Sequence, residues 1–124
     1  MAFIIEDNGD ITLTQGDSGI YPIDLLPTDK DYTLYFAVQD ENRKPIGEEI
    51  AVQTLGQSYV EIVLLASFTD NFKVPNGEET ATYYFGLKLC STNPNREETL
   101  LIENKDIGDE NIMTVYPRKV KGND

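Results

Sequence analysis

Residues 80–90 read TATYYFGLKLC. Tyr83, Phe85, Leu87 and Leu89 recur at every second position, which aligns them on one face of an extended chain. Residues 31–40, DYTLYFAVQD, repeat the pattern, with Leu34, Phe36 and Val38 on one face and Thr33, Tyr35 and Ala37 on the other. Residues 58–65, SYVEIVLL, bring Val60, Ile62 and Leu64 together. A period of two built from aromatic and β-branched residues marks strands with one buried face.

Outward from these three, weaker alternation predicts strands over residues 10–14 (DITLT), 20–25 (IYPIDL), 48–54 (EEIAVQT), 98–103 (ETLLIE) and 111–116 (NIMTVY). The connections carry turn chemistry: Asp40-Glu41-Asn42-Arg43 reads as a polar hairpin loop, Pro75-Asn76-Gly77 as a turn, and Asn93-Pro94-Asn95 as a third. Pro22 lacks an N–H and predicts an edge position or a bulge. One segment breaks the period. In residues 66–74, ASFTDNFKV, Phe68 and Phe72 stand four apart, Ser67 is placed to cap, and Pro75 stops continuation. That spacing predicts one or two helical turns.

About eight strands at spacings near a dozen residues, in a chain of 124 residues that is 40% hydrophobic, predict an all-β fold. The expectation is a single-domain antiparallel β-sandwich, Ig-like or jelly-roll-like, with one short helix near residues 67–73. Residues 1–117 form the domain and residues 118–124 a short basic tail. No internal repeat or low-complexity tract interrupts it.

The chain carries 22 acidic and 10 basic side chains, a formal charge of −12. Direct nucleic-acid binding needs a basic footprint, so it is not expected, and neither is docking on anionic membrane. The surplus acid has a plain explanation as a solvated surface; a second reading is imitation of DNA before a basic-grooved enzyme. The basic residues are unevenly placed. Residues 117–124, PRKVKGND, hold three of the ten, a net +2 against −14 for the preceding part. Arg118, Lys119 and Lys121, with Tyr116 beside them, are therefore the candidate interface: either a cationic arm for a neighbouring copy's acidic face or a frayed end.

The chemistry-bearing residues exclude more than they include. There is no His, no Trp and one Cys, which removes the commonest general base, any internal disulfide and any multi-thiolate metal site. Cys90 reads as a reduced packing residue. Asp7-Asn8-Gly9-Asp10 resembles part of a calcium loop, but position twelve of that frame is Ser18 rather than Glu, so it reads as a turn. Gln15-Gly16-Asp17-Ser18-Gly19 lacks the Lys and helix of a phosphate loop, and Ser18 has no His to activate it; it reads as a tight turn or bulge. The carboxylate pairs Asp29/Asp31, Glu48/Glu49, Glu78/Glu79, Glu97/Glu98 and Asp109/Glu110 fall in predicted loops or strand ends, where solvation accounts for them better than glycosidase chemistry. No catalytic residue, metal ligand or cofactor is expected, and the chain does not read as an enzyme. Seven tyrosines are a generous supply for interfaces. Met1 to Ile5 lacks the basic region of a signal peptide, and Ile62 to Ala66, the longest apolar run, is too short to span a bilayer.

The opening DITLTQGDSGIYPIDLL, followed by DYTLYFAVQDENRKPI, resembles the N-terminal domain of phage baseplate upper proteins and related tailed-phage virion modules. The matching positions are Ile11 to Thr14, the Gln15-Gly16-Asp17 turn, Ile20 to Leu25, and Leu34 to Val38 with the Asp40 to Lys44 hairpin. YYFGLKL and TVYP resemble the second half of the same sandwich. The chain departs from the family in having no downstream coiled coil or receptor-binding domain. The resemblance implies a structural or adaptor protein of a virion, located at the tail, baseplate or fibre attachment and assembled in the bacterial cytoplasm. Its partners would be other virion proteins and further copies of itself. Capsid decoration or a head-fibre role is the alternative within that class, and an acidic DNA-mimic inhibitor of a host defence nuclease is the alternative outside it.

Overall fold

The computed structural model describes residues 3–92, 95–100, 102, 105, 106 and 108–118. Among them are nine strands and one helix: β1 (Phe3–Ile5), β2 (Ile11–Thr14), β3 (Gly19–Ile23), β4 (Thr33–Gln39), β5 (Pro45–Gln53), β6 (Val60–Leu64), α1 (Ala66–Thr69), β7 (Ala81–Thr92), β8 (Asn95–Thr99) and β9 (Asn111–Tyr116). The fold is all-β.

β7 is the axis of a seven-stranded sheet because, at 12 residues, it is long enough to serve three partners. β4 runs antiparallel along one edge of it, over residues 84–90. β9 and β8 share the other edge end to end, over residues 81–85 and 88–92. β5 extends the sheet beyond β4, and β2 and β1 extend it beyond β9. The expectation of a wholly antiparallel arrangement is corrected here. β2 lies parallel to β9, with Ile11 opposite Met113 and Leu13 opposite Val115. Parallel neighbours need a long crossover, and here the whole of the intervening chain supplies it. β3 and β6 form a separate two-stranded ribbon.

The three strong strand predictions hold in position and in the face that each buries. Leu34, Phe36 and Val38 of β4, Val60, Ile62 and Leu64 of β6, and Tyr83, Phe85, Leu87 and Leu89 of β7 are all buried. Ile11, Leu13, Met113 and Val115 complete the core from β2 and β9. Tyr21 of the ribbon reaches the large sheet, its ring centroid 6.5 Å from Phe36 and 5.6 Å from Phe85. The buried faces of ribbon and sheet therefore meet in one core.

Several boundaries differ from expectation. The helix covers only Ala66–Thr69, and Leu65 rather than Ser67 stands at its N-cap, without a side-chain cap bond. The chain leaves the helix early because Phe72 is drawn fully into the core. There it stacks near Phe68 and Tyr83, with centroids 5.2 and 5.3 Å away. β3 stops at Ile23 because Leu25 adopts a left-handed backbone, φ 60°. The strand expected over 98–103 is centred earlier, at Asn95–Thr99; Leu101 and Glu103 lie outside the described residues, as do Asn93 and Pro94 of the expected turn. β1 pairs with β2 through Phe3, Ile4 and Ile5, a strand too short for its alternation to be read. The strand expected over 48–54 begins earlier, at Pro45, so Glu48 and Glu49 sit inside β5 rather than at its start. Pro22 lies in β3, which among the described strands pairs with β6 alone, so its missing N–H disrupts no central ladder.

Candidate interaction surfaces

Alternation in the ribbon buries Tyr21, Ile23, Val60, Ile62 and Leu64, and it must therefore turn Ile20, Pro22, Glu61 and Val63 outward. Ile20 and Val63 are register partners, as are Pro22 and Glu61. Leu65, two residues beyond Val63, extends the same face and is 59% exposed; Leu25, just past β3, is 87% exposed. Singly exposed apolar residues are ordinary, but adjacent ones on one face mark a contact surface. Residues 18–25 and 58–66 contain no Lys or Arg. The charges on this face are acidic and lie towards one end. There the Tyr59 hydroxyl donates to Glu61 Oε2 at 3.0 Å. That hydrogen bond, together with burial and the nearby Asp24, pushes the Tyr59 phenol upward. Each strand of the ribbon also has an edge that pairs with no other described strand, and open edges are pairing templates.

The tail residues fall elsewhere. Tyr116 ends β9 and is partly exposed, its carbonyl accepting from the Gln15 N–H at 2.9 Å. The Arg118 guanidinium pairs with Asp70 at the C-terminal end of α1. It also fills the space over Gly16, whose φ of 86° makes the turn after β2. Arg118 is thus engaged with its own chain. Lys119 and Lys121 lie outside the described residues. The Gln15–Gly19 segment is the tight turn expected, and it serves as the seat of this ion pair.

A third cluster centres on Asp10. Its Oδ1 receives the Lys105 ammonium at 2.9 Å and the Ile112 N–H at 3.0 Å, while Lys105 Nζ also donates to the Glu110 carbonyl at 2.9 Å. The Asp7–Asp10 turn has internal bonds from the Asp10 N–H to Asn8 Oδ1 (3.0 Å) and from the Asn8 amide to Asp10 Oδ2 (3.1 Å). Tyr21 donates to the Gly9 carbonyl at 2.7 Å, and burial, reinforced by Asp10, pushes its phenol up to about 12. Together these bonds lock the β1–β2 turn to the start of β9. Among the described residues no three His, Cys, Asp or Glu side chains gather to hold a metal. Cys90 is a free thiol on the outward side of β7, raised by burial and by Glu97.

The sequence pointed to the tail; the apolar outer face of the ribbon was missed. Its signal was present in SYVEIVLL and GIYPI, where both alternating positions of each strand are largely apolar. A strand exposed on one side is expected to alternate with polar residues. No protein-family profile matches the chain, and no curated protein is similar to it.

Proposed function

We propose that the chain is a structural or adaptor module of a tailed-phage or prophage virion, working by protein–protein contact and without catalysis, and that the outer face of the β3–β6 ribbon is its docking surface. The observation that carries this is the exposed apolar pair Ile20 and Val63, register partners across the ribbon, with Leu65 continuing their face, on a chain of charge −12. Such a charge keeps copies and non-specific partners apart, so an apolar face within it selects a specific contact. The resemblance of residues 10–26 and 31–46 to the N-terminal domain of baseplate upper proteins suggests the virion setting. We take the ribbon lying on the large sheet as a two-layer β-sandwich of that kind; the contacts of Tyr21 with Phe36 and Phe85 support this finer description.

The test is mass in solution by light scattering at two salt concentrations, together with recovery in particles. The native chain is expected as a defined trimer or hexamer, or bound to particles. Val63→Glu, on an exposed position, is expected to abolish both while leaving the thermal transition within about 3 °C. A strict monomer never recovered with particles would overturn the proposal. The high acid content favours one second reading, a DNA-mimic inhibitor. That reading requires inhibition of a basic-grooved nuclease that disappears when surface carboxylates are neutralised.

A further inference from the structure

The outer face of the large sheet, remote from the ribbon and the core, carries a groove of about 590 Å³. Across the β4–β7 pair, Tyr35 stands opposite Lys88, Ala37 opposite Gly86, and Gln39 opposite Tyr84. The two smallest side chains thus form a floor between walls that each contain a tyrosine. Gly86 is the unusual member. It lies in extended backbone in the middle of a paired strand, and a Cβ placed on it would meet nothing within 4 Å. Glycine weakens a strand interior, and it often marks a bulge, a bend or a place that something approaches closely; the register of β7 against β4 is unbroken through Gly86. Neither backbone conformation nor a neighbour demands it here.

The walls define what can enter. The Arg43 guanidinium lies 4.4 Å from the Tyr84 ring centroid and pairs with Glu110; Lys88 lies 3.7 Å from Glu97. Both cations are paired, and Arg43 occupies the Tyr84 ring face; Tyr35, Glu49 and Asp109 also line the groove, so a ring face and further hydroxyl acceptors stay open to a ligand. An anion would meet a chain of charge −12. A wholly apolar ligand would strip water from the charged rim without replacing its hydrogen bonds. What fits is a neutral, hydroxyl-rich ring, with its C–H face against Tyr35 and hydroxyls bonded to the Arg43–Glu110 pair. The volume is within the roughly 300–1,000 Å³ of ligand sites. We propose that this groove binds a neutral saccharide.

The test is titration of the labelled chain with cellobiose, maltose, lactose and N,N′-diacetylchitobiose, followed by amide chemical shifts. At least one sugar is expected to give saturating shifts confined to the outward positions around Gly86, with a dissociation constant of about 1 mM. Gly86→Val fills the floor without a clash, and it should weaken that binding tenfold or more with the melting temperature kept. Tyr35→Ala, at the opposite wall, is the second variant and should also weaken it. Absence of saturating shifts with all four sugars, shifts centred elsewhere, or undiminished binding by Gly86→Val would each overturn the proposal. So would shifts at these residues on raising protein concentration without sugar, which would assign the face to a second copy. Because the groove and the ribbon use different faces, a negative result here leaves the assembly proposal untouched.

Discussion

Asp10 illustrates what a single side chain does in this fold. Its carboxylate holds Lys105 and the Ile112 N–H at once, and the second of these bonds spans 102 positions of sequence. The two charged side chains are only 17% and 10% exposed, so the pair is poorly screened and each charge depends on the other. Removing one partner of such a pair leaves the other buried and uncompensated. Asp10→Ala is therefore expected to lower unfolding free energy by about 3 kcal/mol, read as a shift of the urea midpoint at constant slope. Adding Lys105→Met should recover part of that loss, since the stranded ammonium goes with it. A single-variant loss under about 1 kcal/mol would show that solvent takes over both groups. In the sequence Asp10 was legible only as a turn residue, because local chemistry (the Asn8 contact and the Gly9 turn) is all that neighbouring letters encode. Its role as a lock depends on where β9 passes, and no short-range pattern carries that.

At the scale of elements, period two located β4, β6 and β7 and identified their buried faces, because each has a strongly apolar face and alternation survives inspection of eight or more letters. β5 was harder to read because it contains an irregularity. The register against β4 shifts between Phe36 and Val38, pairing them with Ile50 and Ile46, so alternation across the bulge loses phase. Gly47 makes the bulge possible: its φ is 71°, and a Cβ there would lie 3.0 Å from the Phe68 ring. That ring packs edge-on to Phe36 and Phe72, at centroid distances of 6.4 and 5.2 Å, which ties the short helix to the sheet. Gly47→Val would combine a backbone conformation that β-branched residues avoid with pressure on an aromatic cluster. The expected cost is about 2–4 kcal/mol, seen as a melting temperature lower by about 6–15 °C. A variant that melts with the native chain would mean the bulge re-registers at little cost. The helix itself was predicted too long for a related reason: spacing placed Phe68 and Phe72 on one face, whereas Phe72 reaches the core from outside the helix.

For the whole molecule, the fold class was legible and the topology was not. Alternation says which face of a strand is buried, but it does not say that β2 lies parallel to β9, nor that β3 and β6 stand apart as a ribbon. That ribbon is joined to the large sheet through its core side chains, and Tyr21 is central among them, buried between Phe36 and Phe85. Its phenol therefore reports on the union of ribbon and sheet. In the folded chain it loses its proton only near about 12, against an ordinary 10.0. Burial also raises Tyr83, and hydrogen bonds to carboxylates raise Tyr32 and Tyr59. With folded values above unfolded ones, the neutral phenols stabilise the native state fully below about pH 10, and that stability declines as pH rises towards 12. Tyr21 alone accounts for about 2–3 kcal/mol over that window, at 1.36 kcal/mol per pKa unit. Urea titrations at pH 8, 10, 11 and 12 should thus give falling midpoints above pH 10, with ribbon and sheet unfolding together. Tyr21→Phe keeps the ring but removes the proton and the bond to Gly9. It should be less stable by about 1 kcal/mol at pH 8 and should lose stability more shallowly above pH 10. If the variant and the native chain decline in parallel, the alkaline transition belongs to other groups and Tyr21 is not where ribbon and sheet are held together.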